Sequence, residues 1–389
     1  MDYDSLLAWL MFLCFGFLLY TYVGYPALLW AASKWTRPKD FDGSEPAEWP
    51  AVSVLVSAYN EESAIGDRIR NLLSLDYPRD RIEILIGSDG STDRTDEIVA
   101  SYRVNGVRLL AFEQRRGKTS VLNDLIPQAR GEIVVLTDAN TFFRPDAVRA
   151  LVQAMARYPA GSVVVGRLDL RSPSENGNHD GLYWKYETWI KTLESHFGSV
   201  LGANGAIYAF RRERYRPLPS EAIVDDFLIP MLMRLHSGDR IFFVPEARAW
   251  EKSPEEVRDE FRRHVRIGAG NFQALKWTWK LFLPWKGTVA LAYFSHKLLR
   301  WLGPWLMLLG FLANLRLLYV PFFGVLFLSQ IVLYELAFAA LLLHRIPLVG
   351  RAATGARYFL ILNAALLIGF ARFALRVERP FWSTAPRKI

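Results

Sequence analysis

The chain has 389 residues, a hydrophobic fraction of 51%, a mean hydropathy of +0.10 and a formal net charge of +8. This length accommodates one large domain with additional elements, and the apolar residues concentrate at the two ends, which is typical of a membrane protein with a soluble middle. The single cysteine, Cys14, excludes disulfides within the chain and thiolate zinc sites. The positive charge suits anionic lipid and phosphate esters, and because the sequence carries no nucleic-acid-binding signature, no nucleic acid is expected as a partner.

The amino-terminal stretch predicts a retained membrane helix. Residues 6–33 carry no charge, which is longer than the ~20 residues that cross a bilayer and too long for the apolar core of a signal peptide. Acidic residues precede this stretch and basic residues follow it: Asp2 and Asp4, then Lys34, Arg37 and Lys39. The positive-inside rule therefore predicts an outside amino terminus and a cytoplasmic middle, as in a multi-pass protein of the inner or plasma membrane.

Strands and helices alternate after a Gly- and Pro-rich linker at residues 41–50. Strands are predicted at residues 52–56, 82–86, 107–112, 133–136 and 163–168, and helices at 61–73, up to about Tyr102, at 119–129 and at 145–158. This alternation predicts an α/β fold in which helices cover both faces of a mostly parallel sheet.

The fourth strand leads directly into two oxygen-bearing side chains, Asp138 and Asn140. Ligands of parallel sheets collect beyond the carboxyl ends of the strands, and this spacing can direct two hard oxygen ligands at one Mg²⁺ or Mn²⁺. An ordinary turn is the alternative, since Asp and Asn favour turns.

Two further polar positions follow neighbouring strands. Asp89 lies in a Gly- and hydroxyl-rich turn that suits contact with a nucleotide base or ribose, or simply caps the next helix. Lys118 opens a helix beside Gly117, where a cation and the positive helix end could both meet a phosphate. A solvated basic turn is the alternative for Lys118.

The second half of the soluble region contains four more candidate segments. The aromatic group of Tyr183, Trp184, Tyr186 and Trp189 predicts either a sugar-stacking acceptor groove or ordinary core. Residues 198–206 are nearly free of bulk, which permits a ligand to approach the backbone closely. Asp225 and Asp226 precede an apolar helix as caps or as a general base, and Arg263 and Arg266 lie on one helical face, where they could meet a diphosphate or lipid headgroups.

The carboxyl-terminal third predicts membrane association. Tryptophans and cations alternate at residues 276–300, which favours interfacial helices, and spans are predicted at 301–318, 320–343 and 358–375. A cytoplasmic loop is marked by His344, Arg345, Arg351 and Arg357. Three later spans place the carboxyl terminus outside, whereas its basic residues favour the inside: Arg372, Arg376, Arg379, Arg387 and Lys388. Glu335 lies in a predicted span, where pairing, snorkelling and a pathway role are all open.

The order of these motifs resembles the membrane-integrated family 2 inverting glycosyltransferases, which include the cellulose, hyaluronan and poly-N-acetylglucosamine synthases. The resemblance implies a membrane segment at residues 1–40, a GT-A domain at 50–275, interfacial helices at 276–300, membrane helices at 301–375 and a tail at 376–389. It also implies metal-dependent hexosyl transfer from a nucleotide sugar to a glycan or lipid-linked acceptor during exopolysaccharide or envelope synthesis. Polysaccharide-export proteins are possible partners.

Site residues follow from the same resemblance. Ala58, Tyr59 and Glu61 of Ala-Tyr-Asn-Glu, Asp89 of Ser-Asp-Gly-Ser, and Lys118 match positions that hold the nucleotide of a donor such as a UDP-sugar. Asp138-Ala139-Asn140 resembles the Asp-x-Asp metal motif, and Asp226 matches the general base of the Glu-Asp pair. Arg263 and Arg266 would face the diphosphate, while the acceptor side would comprise Gly202, Ala203, Asn204 and Asp225.

Two positions depart from the family pattern. Asn140 replaces the second acid of the metal motif, and a neutral amide is a weaker ligand than a carboxylate. The Gln-x-x-Arg-Trp motif of processive synthases is replaced by residues 263–267, which lack the glutamine and the tryptophan. Transfer of one or a few sugars is therefore plausible, and a polyprenyl-phosphate glycosyltransferase or an inactive nucleotide-sensing scaffold are the alternatives. A transporter is disfavoured because only four spans are predicted.

Overall fold

The structure is a computed structural model that describes residues 2–35, 46, 48–158, 162–171, 180–252, 257–343, 346, 348–377 and 381. Several basic residues that entered the topology prediction lie outside the described residues: Arg37, Lys39, His344, Arg345, Arg379, Arg387 and Lys388. The side chain of Tyr183 also lies outside them.

The predicted amino-terminal helix is present as α1, which covers Tyr3–Ser33 and is long and apolar enough to cross a membrane. Asp2 begins it by accepting a 3.0 Å hydrogen bond from the Ser5 N–H. One turn at Tyr20–Gly24 is a π-helix, in which backbone hydrogen bonds join residues five apart.

The soluble region alternates strands and helices as predicted. Its strands are β1 Val52–Ala58, β2 Ile82–Asp89, β3 Val107–Phe112, β4 Ile133–Asp138, β5 Phe142–Phe143, β6 Ser162–Arg171, β7 Tyr208–Arg211 and β8 Arg240–Lys252. Its helices are α2 Ile65–Leu73, α3 Thr95–Ser101, α4 Lys118–Gln128, α5 Ala147–Arg157, α6 Asp180–Ser195, α7 Asp225–Ser237 and α8 Val257–Thr278.

All eight strands form one mixed sheet with the order β3-β2-β1-β4-β7-β6-β8-β5. Strands β3, β2, β1 and β4 are mutually parallel, whereas β7 runs antiparallel to both β4 and β6, and β8 is parallel to β6. The carboxyl ends of β1, β2, β4, β6 and β8 therefore lie at one edge of the sheet. That edge carries Asp89 and Asp138, as the predicted parallel sheet requires.

Two hydrophobic cores cover the two faces of the sheet. Successive β1 residues alternate between them: Leu55 belongs to one core, and Val54 and Val56 belong to the other. All seven residues of β1 are buried. This complete burial explains why β1 is mostly apolar and does not alternate strictly between apolar and polar residues.

Strands β5, β7 and β8 were not predicted from the sequence. In β8 the apolar run at residues 241–244 is interrupted by Pro245, which argues against a strand. The structure accommodates this interruption at a register shift, where Gly166 pairs with Val244 and Arg167 pairs with Arg248.

The carboxyl-terminal region corrects the predicted spans. A bent pair, α9 Thr288–Trp301 and α10 Gly303–Arg316, turns through 60° and replaces a straight span at 301–318. It is followed by α11 Pro321–Phe338, which carries the exposed Glu335, by the short α12 Ala340–Leu343, and by α13 Val349–Ala374. The predicted interfacial helices at 276–300 are instead the end of α8, two short 3₁₀ turns and most of α9.

Contacts between these helices establish their relative directions. Helix α10 runs antiparallel to α1, since Gly310 approaches Cys14 and Phe15, while Tyr319, just beyond its end, interacts with Asp4. Helix α11 then folds back along α10, where Phe311 packs against Phe327 at 5.2 Å. Helices α1, α10 and α11 thus form an up-and-down bundle.

The last long helix packs against the soluble region along its length. From the amino-terminal to the carboxyl-terminal end, Tyr358 contacts Glu260, Gly369 touches the backbone of Ala269, and Phe373 lies near Lys276, so α13 runs parallel to α8. Beyond it, the Phe381 ring lies 5.3 Å from the Arg115 guanidinium of the soluble region. The described end of the chain therefore lies on the side of the soluble region, the side that the basic residues favour and the count of three later spans does not; the sequence leaves this choice open.

Candidate active site

The predicted metal turn, residues 138–140, lies at the edge of the sheet where β4 ends. Asp138 is the last residue of β4, and its side chain is 34% exposed. The Asn140 amide nitrogen lies 3.5 Å from Oε2 of Glu251, so this nitrogen faces an acid and the amide oxygen remains the atom suited to a cation. The turn therefore presents one carboxylate and one amide oxygen.

Lys118 bridges two of the predicted acids. It is the first residue of α4, after Gly117 at φ 91°, a left-handed conformation that favours glycine. Its ammonium lies 2.7 Å from Oδ1 of Asp138 and 3.1 Å from Oδ2 of Asp225. Burial alone would lower the pKa of Lys118, but the Asp138 and Asp225 carboxylates outweigh it and raise that pKa. The lysine is therefore a permanent cation between the metal turn and α7.

Asp89 is fully buried and holds the loop that carries Lys118. Its carboxylate accepts hydrogen bonds from the backbone N–H groups of Arg116 at 2.7 Å and Gly117 at 2.9 Å. Gly90 is at φ 66°, and a Cβ there would lie 2.7 Å from the Arg115 nitrogen, so this turn requires glycine. Asp89 therefore positions the loop that carries Lys118; its contact with the nucleotide stays a prediction.

The Ala-Tyr-Asn-Glu segment forms the end of β1 and the turn after it. Ala58 is buried, Tyr59 stacks its ring 3.6 Å from the Arg115 guanidinium, and the Glu61 N–H donates 2.8 Å to the Thr95 hydroxyl. These contacts place the segment beside the Asp89 loop, at the same edge as Lys118. The structure thus brings together the residues predicted to hold the nucleotide.

Asp226 is held in place by backbone donors at the start of α7. Its Oδ2 accepts a 3.0 Å hydrogen bond from the Gly205 N–H, and its Oδ1 accepts one of 2.9 Å from the Phe227 N–H. Burial raises the pKa of Asp226, the neighbouring Asp225 raises it further, and Lys118 partly opposes both effects. Such a carboxylate is a stronger base than an exposed aspartate and is suited to accept a proton.

The small-residue segment at 202–205 supports this carboxylate. Gly202 is at φ 75°, where a Cβ would lie 2.7 Å from the Phe227 ring, and the Ala203 N–H donates 2.9 Å to the Asp226 carbonyl. The Asn204 amide donates 3.2 Å to the Gly166 carbonyl, and a Cβ at Gly205 would lie 2.9 Å from Oδ2 of Asp138. The lack of bulk therefore lets the backbone approach the two acids, and an acceptor contact by these residues stays a prediction.

Helix α8 brings two arginines to the site, and one of them contacts an acid that was not predicted from the sequence. Arg263 lies 3.6 Å from Oε1 of the buried Glu251, and Arg266 donates 3.1 Å to the Ile223 carbonyl, just before α7. Glu251 links Arg263 to Asn140 across the metal turn. Sequence reasoning could not find it, because β8 itself was not predicted.

The residues at the metal turn fit a cation that takes most of its ligands from a substrate. Among the described residues, no group of three His, Cys, Asp or Glu side chains could hold a metal by itself. Asp138 and Asn140 supply hard oxygens, as Mg²⁺ and Mn²⁺ prefer, and such ions are often held by one or two protein ligands together with phosphates. The fit is therefore to a shared metal site and not to a closed protein cage.

The predicted aromatic segment belongs to α6. Tyr186 packs against the hydrophobic core and donates 2.7 Å from its hydroxyl to the Tyr22 carbonyl of α1, whereas Trp189 is 41% exposed. Helix α6 therefore packs on α1, and an acceptor contact by the exposed Trp189 stays a prediction.

Comparison with known families identifies the soluble region. Residues 53–215 match the model of Glycosyl transferase family 2. These residues contain Asp89, Lys118 and the metal turn, whereas Asp226 and α8 lie beyond the matched range.

Curated relatives match a similar part of the chain. A poly-beta-1,6-N-acetyl-D-glucosamine synthase of Staphylococcus epidermidis is 28% identical over 245 residues, which cover 60% of this chain and 57% of the relative. The probable glycosyltransferase YdaM of Bacillus subtilis is 27% identical over 244 residues, which cover 58% of this chain and 56% of the relative. The match thus spans little more than half of each relative's length.

A solved structure resembles nearly the whole chain. The mannosyltransferase PcManGT from Pyrobaculum calidifontis, in complex with GDP-Man and Mn²⁺, superposes with a TM-score of 0.70 and 23% identity. The superposition covers 96% of this chain and 99% of that one. The likeness confirms the predicted GT-A fold.

Proposed function

We propose that the protein transfers a sugar from a nucleotide-sugar donor to a glycan hydroxyl, with inversion at the anomeric carbon, because residues 53–215 match the family 2 glycosyltransferase model. The observation that carries the proposal is the arrangement of Asp226 beside Lys118 and Asp138. It places a base with a raised pKa next to a fixed cation at the carboxyl edge of the sheet. Transfer to a hydroxyl needs a base on one side and a stabilised leaving group on the other.

Asp226 acts on the acceptor. The acceptor oxygen attacks the anomeric carbon, its proton passes to the Asp226 carboxylate, and the bond from that carbon to the diphosphate oxygen breaks. The backbone donors at Gly205 and Phe227 fix the direction of the carboxylate before the acceptor arrives. Because the attack is a single displacement without a covalent enzyme intermediate, the product has the opposite anomeric configuration.

Lys118 and Arg263 act on the leaving group. Both cations lie at the end of the site that faces the metal turn, where negative charge develops on the departing diphosphate. Asp138 and Asn140 would hold Mg²⁺ or Mn²⁺, which supplies further charge neutralisation when bound. Asp89 keeps the Lys118 loop rigid, so the ammonium does not reorganise during transfer.

The relatives support an acceptor from exopolysaccharide or cell-envelope synthesis. The curated relatives include synthases of a poly-N-acetylglucosamine, and three or four helices of this chain could hold it at a membrane. Replacement of the glutamine and tryptophan of the processive motif supports transfer of one or a few sugars. The leading donor is a UDP-sugar, and a GDP-sugar is included because the structural neighbour binds GDP-Man.

A donor screen tests the proposal. Full-length protein in detergent with lipid and Mn²⁺ is incubated with UDP- and GDP-sugars, and release of nucleoside diphosphate is measured together with the anomeric configuration of the product. We expect one donor to turn over with inversion. Retention of configuration, or binding of nucleotide without turnover of any donor, would overturn the proposal, and the second result would favour a nucleotide-sensing scaffold.

A lipid phosphate is the alternative acceptor, favoured by the altered processive motif and the membrane helices. A phosphate oxygen is already deprotonated at neutral pH and needs no base. Turnover that requires polyprenyl phosphate and survives Asp226→Asn would therefore select this acceptor over a glycan hydroxyl.

A further inference from the structure

A cavity of ≈ 240 Å³ lies beside the proposed active site. It is lined by Arg144, Asp169, Arg171, Arg248, Ala249 and Trp250, from β6, β8 and the segment after β5. Its volume is roughly that of eight water molecules at ~30 Å³ each, and it is smaller than the ~300 Å³ at which pockets for drug-sized ligands begin. The cavity therefore suits one small group or a single sugar unit.

The charge of the lining favours an anion. Three arginines and one carboxylate, that of Asp169, line the cavity. Arg144 pairs with Asp146 at 3.2 Å. The Asp169 carboxylate is also engaged, because Arg248 donates to its Oδ2 at 2.7 Å and Arg167 donates to its Oδ1 at 2.8 Å. Four guanidiniums are thus matched by two carboxylates. The cavity therefore retains an excess of guanidinium charge, which matches planar carboxylate and phosphate groups.

Contacts within the protein hold Arg171 and Arg248 before any ligand binds. The Trp250 ring stacks on Phe142 with centroids 4.6 Å apart, and the Arg171 guanidinium lies 4.0 Å from the Trp250 ring. Arg248 is held by two hydrogen bonds to Asp169. Guanidiniums held in this way lose little rotamer freedom on binding, which is what a specific anion site requires.

The place of the cavity in the sheet separates it from the nucleotide. Asp89 ends β2, whereas the cavity lies at β6 and β8, beyond β1, β4 and β7. The metal turn leads directly into β5, and Trp250 precedes Glu251, which faces Asn140. In the strand order, the metal turn at the end of β4 therefore lies between the residues predicted to hold the nucleotide and the cavity.

We propose that this cavity binds an anionic group of the acceptor, a carboxylate or a phosphate ester carried on a sugar unit near the reacting hydroxyl. The assignment to the acceptor rests on the proposed function. The arginine cavity makes the enzyme selective for acidic acceptors over neutral ones, and Arg171 and Arg248 determine that selectivity.

Binding of small probes tests the site in the full-length protein. Saturating UDP with Mn²⁺ first fills the donor site, so that an added anion cannot bind at Lys118. Orthophosphate, glucuronate and neutral glucose are then titrated by calorimetry. The cavity variants are Arg171→Gln and the paired Arg248→Gln with Asp169→Asn, which preserves a neutral hydrogen-bonding pair. The control is Arg94→Gln, whose side chain is 70% exposed and pairs with Glu97 three residues later.

We expect at least one anion to bind while glucose does not, with affinity reduced about tenfold or more in both cavity variants and unchanged in the control. Binding of phosphate alone identifies a phosphorylated acceptor, and binding of glucuronate alone identifies a uronic acid. Unchanged anion affinity in the cavity variants, or no anion binding to the native protein, would overturn the site. UDP affinity, measured separately, should be equal in all variants. Failure of the native protein to bind UDP would count against the proposed function and not against the cavity.

Discussion

Two of the charged clusters in the described part of the chain differ in their access to solvent. The active-site cluster comprises Lys118, Asp138, Asp225 and Asp226. The joint cluster comprises Tyr25, Glu187, Glu194, His296 and Arg300, where α1, α6 and α9 meet. Asp138 is 34% exposed, whereas Glu194 is 0% exposed and His296 is 1% exposed.

The joint cluster is closed by hydrogen bonds within the chain. Glu194 accepts from the Tyr25 hydroxyl at 2.9 Å and contacts the His296 Nδ1 at 2.7 Å, while Glu187 pairs with Arg300. Burial would raise the pKa of Glu187, but Arg300 and His296 outweigh it and hold that pKa well below its ordinary value. Two π-helical turns meet here through a 2.8 Å hydrogen bond between Tyr20 and Ser295.

The comparison teaches that buried charge serves two purposes. At the joint, Glu187 pairs with Arg300 and Glu194 with His296 in a largely buried cluster, which fixes how three helices meet. At the sheet edge, the Asp138 carboxylate is left open to a substrate, and the like charges of Asp225 and Asp226 lie side by side. We therefore expect changes at the sheet edge to affect turnover and changes at the joint to affect stability.

The largest effect is expected at Asp226. Asp226→Asn keeps the size of the side chain but removes the base, so kcat should fall about 10²- to 10⁴-fold while UDP affinity stays unchanged. Release of nucleoside diphosphate measures kcat, and calorimetry measures affinity. The matched control is Asp67→Asn, which removes a carboxylate that is 62% exposed and lies on α2, outside the active-site cluster. Equal loss in both variants would argue against a base at Asp226.

The metal turn provides the next contrast. Asp138→Ala removes the carboxylate oxygens and should abolish metal-dependent turnover, whereas Asn140→Asp should retain activity and lower the Mn²⁺ concentration needed for half-maximal rate. Titration of Mn²⁺ at fixed donor concentration measures this, and Mn²⁺ binding with UDP by magnetic resonance gives a readout independent of turnover. Weaker Mn²⁺ binding in Asn140→Asp would show that residue 140 is not a ligand.

At the joint, Glu194→Gln should destabilise the fold by about 3–5 kcal/mol, because it leaves a buried network with one partner missing. Thermal unfolding in detergent measures this change. Donor turnover per folded molecule at low temperature should change little. Glu97→Gln, at a side chain that is 69% exposed, should cost no more than about 1 kcal/mol. A variant with native stability but lost turnover would assign Glu194 to the catalytic cluster.

The packing of α13 along α8 predicts the membrane topology. In a Cys14→Ser background, Val377→Cys should react with an impermeant maleimide from the side of the soluble domain, and Tyr3→Cys from the opposite side. Both positions are more than 60% exposed, at 62% and 64%. Labelling is compared between right-side-out and inverted vesicles. Reaction of both cysteines from the same side would contradict the packing of α13 along α8.

The smallest effect is a shift in pH dependence. The pKa of Asp226 is raised above its ordinary value of 3.8, so the base is protonated and inactive at a pH where an exposed aspartate would still be ionised. Asp225→Asn removes a neighbouring negative charge and should move the acidic limb of the kcat profile to lower pH. A shift of the acidic limb to higher pH would show that breaking the ion pair between Asp225 and Lys118 affects the pKa of Asp226 more than removing the repulsion from Asp225.

The sequence by itself determined the elements whose signal is local. The apolar runs of β1 to β4 and their alternation with helices predicted a parallel sheet. Such a sheet brings the strand ends at Asp89 and Asp138 to one edge, as the structure confirms. The start of α7 at Asp225 and the long apolar α1 were equally readable, since burial and helix periodicity are written into consecutive residues.

The tertiary structure decided everything that depends on distant pairing. Strand β8 contains Pro245 and pairs only through a register shift, so Glu251 and the arginine cavity could not be placed beside Asn140 from the sequence. The length and apolarity of α13 predicted a span, yet its packing along α8 keeps the described end of the chain beside Arg115. Composition determines which segments avoid water, but which surface covers them depends on contacts between residues far apart in the chain.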